Sequence, residues 1–196
     1  MLPEPEPESA LGKTSKKNTA IMAQRPAPED AKDVDAEQRQ LWALDPAAQL
    51  TDYMFLGSAL ASENSWGLAQ SGITRVLNVA DDIGCHHPDQ FEYLHLKIED
   101  GGEDSSIVEH MERAIAFVEE AKRTGAKVLV HCFMGVNRSA TVAMAVLVAL
   151  EGMSLRQAFA HVQQRREIKL RPGNQQKVAH WEERRTGACT LPAWKD

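Results

Sequence analysis

The stretch from Lys127 to Leu150 constrains this chain more than any other. Lys127 to His131, KVLVH, is a β-branched, apolar run of the kind buried inside a parallel sheet. Cys132 follows at once, then a loop containing Gly135. From Arg138 to Leu150 the sequence reads as a helix rich in small apolar residues. A buried strand passing through a short loop into a helix is one half of an α/β unit. It also sets a cysteine and an arginine at the two ends of one turn.

The flanking sequence repeats that alternation. Tyr53 to Leu56 reads as a short strand ended by Gly57, and Leu68–Ala69 lies on a helix before the Ser71–Gly72 break. RVLNV, from Arg75 to Val79, is a second buried-strand run, and FEYLHLKI, from Phe91 to Ile98, alternates like a strand with one buried face. Ile107, Met111, Ala114, Ile115, Val118 and Ala121 recur at helical spacing, with Gly125 as the stop. Ser154 to Arg165 forms a further helix with Ser154 as N-cap, and Asn174 to Arg185 a last one after a Pro172–Gly173 break. The expected fold is therefore α/β: a central, mostly parallel sheet flanked by helices.

Residues 1–45 hold nine acids, six bases and five of the nine prolines, with few large apolar groups. Such a segment buries too little surface to offset the entropy of ordering it. The expected division is a disordered tail over 1–44, a folded domain over 45–186 and a short tail over 187–196. A net charge of −6 gives no general attraction to nucleic acid. Ala140 to Leu150 is the longest near-apolar run, about half what a membrane-spanning helix needs. The chain opens without the basic and apolar regions of a secretory signal. Three widely spaced cysteines, Cys85, Cys132 and Cys189, suit a reduced intracellular protein, cytoplasmic or nuclear, better than a disulfide scaffold.

The loop residues each have a task if the ligand is a phosphate group. A loop feeding a helix N-terminus turns backbone N–H groups inward, and the helix dipole adds positive charge. Gly135 permits a close backbone approach. Arg138 offers a planar fork matched to two phosphate oxygens. Cys132 lies in the same positive field, which favours its thiolate.

On these residues the chain resembles the cysteine-dependent protein phosphatases of the dual-specificity group, as a small atypical member without a kinase-docking domain. Residues 131–139 match that family's pattern HCxxGxxR followed by Ser or Thr. Phe55-Leu56-Gly57-Ser58, Ile73 to Val79, Met144 to Leu150 and Ala158-Phe159 resemble its framework. The resemblance implies Cys132 as nucleophile and Arg138 as phosphate clamp. The backbone amides of Phe133, Met134, Gly135, Val136, Asn137 and Arg138 would form the cradle, and Ser139 would hydrogen-bond the sulfur and assist its departure. It implies phosphorylated proteins as substrates, and no metal or cofactor.

The leaving oxygen needs a proton, which a carboxylic acid is suited to give. The family's acid stands about thirty residues before the cysteine, on a loop after a strand. Asp100, 32 residues upstream, is preferred to Asp104 at 28. His131 is read as a buried structural imidazole supporting the loop, and Asn78 as a hydrogen-bonding support or a strand cap. Cys85 is a candidate redox partner for Cys132. The uncharged side chains of Phe133, Met134, Val136 and Asn137 argue against a polyanionic lipid headgroup. A non-catalytic phosphoprotein-binding module that keeps the cradle stays open as a second reading. The spacing of Gly135 and Arg138-Ser139 speaks against sulfur transfer.

Overall fold

A computed structural model describes residues 36–100 and 106–191. Within them the strands are β1 (Ala48–Gln49), β2 (Met54–Gly57), β3 (Ile73–Asn78), β4 (Glu92–His95) and β5 (Lys127–His131). The helices are α1 (Ala36–Leu44), α2 (Ala59–Glu63), α3 (Ser65–Gln70), α4 (Ile107–Thr124), α5 (Arg138–Glu151), α6 (Leu155–Gln163) and α7 (Pro172–Thr186). The five strands form one sheet in the order β1-β2-β5-β3-β4. Only β1 runs antiparallel to its neighbour, so the expected mostly parallel α/β architecture is what the chain adopts.

The register places the site. Gly57 and Asn78 both pair with His131, so β2, β5 and β3 end side by side. Whatever follows these three strands shares the carboxyl edge of the sheet, where open α/β folds hold their ligands.

Packing explains the elements. Val128, Leu129 and Val130 in the centre of the sheet are fully buried, which is why β5 is apolar on both faces. Helix α5 is buried from Arg138 through Val148, so it is apolar around its whole circumference. Helix α4 buries one stripe, from Ile107 to Ala121, and ends where Gly125 takes a left-handed φ of 72°. Ser154 and Gln157 exchange hydrogen bonds in a capping box that starts α6. Among the described residues no helix is long and apolar enough to cross a membrane.

Four expectations need correction. Ala36–Leu44, inside the segment expected to be disordered, is helical, because Trp42 packs against Gly67 beside Phe55, Leu68 and Ile73. A Cβ on Gly67 would overlap the Trp42 ring. Residues 1–35 lie outside the described residues. At the other end Thr190 bonds to Glu182 and Leu191 is buried, so packed structure runs beyond 186; residues 192–196 are not described. Pro172-Gly173 is the first turn of α7 rather than a break, since proline at a helix start gives up an N–H that has no partner there. Strand β4 is shorter than FEYLHLKI and half-buried throughout, because it pairs on one side only and Arg75 binds Glu92 at 2.8 Å.

Candidate active site

Residues 132–137 join the end of β5 to the start of α5, and every carbonyl in the loop is engaged from outside. The Cys132 carbonyl faces His131 Nδ1 at 3.4 Å. Ala59 N donates to Phe133 O at 2.9 Å. Arg166 donates to Met134 O and Gly135 O, each at 3.1 Å. Lys169 N donates to Val136 O at 3.0 Å, and Thr141 donates to Asn137 O from both its N and Oγ1. In a trans peptide the next residue's N–H points opposite to the carbonyl, and no peptide here is cis. The amides of residues 133–138 therefore face away from these partners, into the turn. Of these, Gly135 N donates to Cys132 Sγ at 3.3 Å.

Gly135 has a φ of 74°, and a Cβ there would overlap the Gly57 carbonyl. Only glycine lets the loop pass that close to the end of β2. The side chains of Phe133 and Met134 are exposed, and Val136 is half-buried.

Cys132 is buried at the floor of the turn, with its Sγ 3.2 Å from Ser139 Oγ. Arg138, the first residue of α5, is 1% exposed. Its Nη1 donates to Asp81 Oδ1, Asp82 Oδ1 and Ile98 O, all at 2.9 Å. Among the described residues its buried Nε has no hydrogen-bond partner, with Asp100 Oδ1 3.6 Å away. Burial opposes the charge of Arg138, but the bond to Asp82 and the nearby Cys132 sulfur and Asp100 outweigh it and hold its pKa above the ordinary value. The same pairing holds the Asp82 carboxyl below its ordinary value. One edge of the guanidinium is thus fixed to carboxylates while Nε stays unpaired.

The structure brings Asp100 to the loop. Asn137 Nδ2 donates to Asp100 Oδ1 at 2.9 Å, and Arg171 reaches both the Asp100 carbonyl and Oδ2, the latter at 3.2 Å. Asp104 lies outside the described residues. His131 is fully buried, and its pKa falls to about 4, chiefly through burial. A carbonyl acceptor requires the proton on Nδ1, and the lowered pKa keeps the imidazole neutral, so Nε2 carries no proton and has no partner among the described residues. Asn78 is fully buried and acts as a brace: it binds the carbonyls of Ile83 and Gly84 and accepts from Ala80 N. It thereby shapes the turn that carries Asp81 and Asp82. Cys85 is half-buried and free, its pKa raised by burial. Among the described residues no three His, Cys, Asp or Glu side chains gather as a metal site.

Sequence reasoning missed Asp81, Asp82, Arg166, Arg171 and Asp45. Asp45 receives Arg166 Nη1 at 2.8 Å and the Ser58 hydroxyl. Asp81 and Asp82 had a signal: they follow the buried run RVLNV, whose end lies beside that of KVLVH in a parallel sheet. Arg166 had none, because its role depends on tertiary contacts across more than 30 residues.

Comparison with known proteins agrees with this geometry. The profile of the dual specificity phosphatase catalytic domain matches residues 54–184. Dual specificity protein phosphatase 1 of Arabidopsis thaliana is 38% identical over 115 residues, covering 59% of this chain and 58% of its own. Human dual specificity protein phosphatase 2 is 38% identical over 120 residues, 61% of this chain and 38% of that one. The chain thus spans less than two thirds of the length of these relatives. The crystal structure of human DUSP28 superposes with a TM-score of 0.68 at 30% identity, covering 71% of this chain and 94% of that one. A strand, a braced loop and a helix that hold Cys132, Arg138 and Ser139 together occur inside a matched catalytic domain, and the chain belongs to the dual specificity phosphatase family.

Proposed function

We propose that this chain hydrolyses phosphotyrosine and phosphoserine or phosphothreonine in proteins through a phosphocysteine intermediate. The observation that carries this reading is the buried Cys132 sulfur, 3.3 Å from Gly135 N in a turn whose six carbonyls are engaged outward, together with the Nε of Arg138, which has no hydrogen-bond partner among the described residues. Cys132 attacks phosphorus, the S–P bond forms and the bond to the leaving oxygen breaks, with Asp100 supplying that oxygen's proton. Water then attacks the phosphocysteine and gives a proton to the Asp100 carboxylate. The sulfur departs as a thiolate, stabilised by the Ser139 hydroxyl at 3.2 Å. The amides and Arg138 hold the three non-bridging oxygens throughout.

The exposed, uncharged side chains of Phe133 and Met134 support a substrate with one phosphate to bind rather than a polyanionic headgroup. Three free cysteines support a reducing, intracellular setting.

Hydrolysis of a small aryl phosphate, with and without a chelator, tests the proposal. Turnover should resist the chelator and be abolished by Cys132→Ser and by Arg138→Ala. An active Cys132→Ser protein, or turnover that needs added metal, overturns the mechanism.

A further inference from the structure

We propose that Asn137 is a positioning residue that decides which oxygen of Asp100 carries the transferred proton; this rests on the phosphatase reading above. One group beside Asn137 has only one role available. The Arg171 backbone N–H donates and cannot accept, and it lies 2.9 Å from Asn137 Oδ1. Asn174 Nδ2 donates to the same oxygen at 3.1 Å. The Asn137 amide is therefore fixed with its oxygen toward the first turn of α7, and its Nδ2 must face Asp100. Asn137 is 7% exposed, so water has little access to loosen this arrangement.

Nδ2 offers only hydrogens, and it sits 2.9 Å from Asp100 Oδ1. That oxygen has to present a lone pair. A proton directed at Nδ2 would meet another hydrogen, and Arg138 Nε at 3.6 Å is a second donor facing the same oxygen, so both work against a proton there. The acid's proton consequently resides on Oδ2. Among the described residues Oδ2 pairs with the exposed Arg171 side chain, whose Nη2 is 3.2 Å away. Arg171 also binds the Asp100 backbone carbonyl through Nη1. It can release Oδ2 to the proton while still holding the acid loop. As the bond to the leaving oxygen breaks, the Oδ2 proton passes to that oxygen, and the Asp100 carboxylate regains the Arg171 donor while keeping that of Asn137.

Asn137 is also the residue just before Arg138, at the end of the cradle. The acid is thus oriented by a side chain of the loop that orients the phosphate.

The test uses the full chain and a series of aryl phosphates whose leaving groups run from strongly to weakly acidic phenols. Asn137→Ala should slow the poorest leaving group roughly tenfold more than the best, in the direction of Asp100→Asn. The near-isosteric Asn137→Asp keeps an acceptor for Arg171 N and Asn174 while replacing the donor, and should show the same selective loss. Adding Asn137→Ala to Asp100→Asn should change the leaving-group dependence by no more than about twofold. Equal slowing of all substrates by both Asn137 variants would reduce Asn137 to a loop brace and overturn the inference. If Asp100→Asn itself slows all leaving groups equally while Cys132→Ser is inactive, the acid assignment falls and this inference with it, whereas the nucleophile stands.

Discussion

Arg166 donates from Nε to the Gly135 carbonyl and from Nη2 to the Met134 carbonyl, both at 3.1 Å, while its Nη1 is held by Asp45 at 2.8 Å. One side chain from the segment between α6 and α7 thereby fixes two successive peptides of the phosphate loop. A planar fork is needed for this, and lysine has none.

Arg166→Ala and Arg166→Lys should therefore both loosen the loop. Loss of about 2 kcal/mol of loop order corresponds to a roughly thirtyfold fall in kcat/KM. Steady-state kinetics on an aryl phosphate reads this directly. Full activity in the lysine variant would show that the fork is dispensable.

Gly135→Ala should be more damaging than either. The substitution forces a side chain into a left-handed backbone and against the Gly57 carbonyl. We expect loss of both turnover and vanadate binding, the latter measured by calorimetry. Retained vanadate binding would mean that the loop can re-form around a Cβ.

His131 makes the fold sensitive to acid. Burial is the main cause of its depressed pKa, opposed by the bond to the Cys132 carbonyl and reinforced by His86 and His95. Because the folded value, about 4, lies below the ordinary 6.5, the unfolded chain takes up the proton first. Stability is complete above the ordinary value and is lost as pH falls toward the folded one, by about 2 kcal/mol between pH 7 and about pH 5. Urea unfolding across that window should show the loss in the wild type and a shallower slope in His131→Asn. Equal slopes would place the acid sensitivity elsewhere.

Stability and activity should separate at Glu182. This carboxylate is 1% exposed and accepts from Leu155 N at 2.6 Å, Thr190 N at 2.8 Å and Thr190 Oγ1 at 2.7 Å. It ties the start of α6 to the segment after α7. Glu182→Ala strands these buried donors and should cost about 3 kcal/mol. Below its melting temperature the variant should keep the wild-type kcat/KM, since Glu182 takes no part in the phosphate loop. A fall in kcat/KM while folded would link this tie to the site.

How legible each part was depended on the range of the contacts that define it. Helix α4 and strand β5 could be read almost residue by residue, since an apolar stripe with a glycine stop and a continuous apolar run are local signals. The loop was equally legible, because Cys132, Gly135, Arg138 and Ser139 lie within eight positions. Helix α1 was hidden by the proline-rich, charged sequence before it and depends on Trp42 finding Gly67. The roles of Asn137 and Arg171 were illegible for a related reason. An asparagine among uncharged loop residues gives no sign that a backbone N–H 34 residues away will fix its amide.

The outward capture of six carbonyls has a consequence for selectivity. A receptor assembled by the protein's own contacts has its shape before anything enters, and it recognises a tetrahedral oxyanion irrespective of what that anion is attached to. Free orthophosphate, the product of the proposed hydrolysis, should therefore compete for it as a mimic of the reacting group. Discrimination between one phosphorylated residue and another must be written on the rim, where Phe133 and Met134 stand in solvent. Exchanging those two side chains should retune choice without disturbing chemistry.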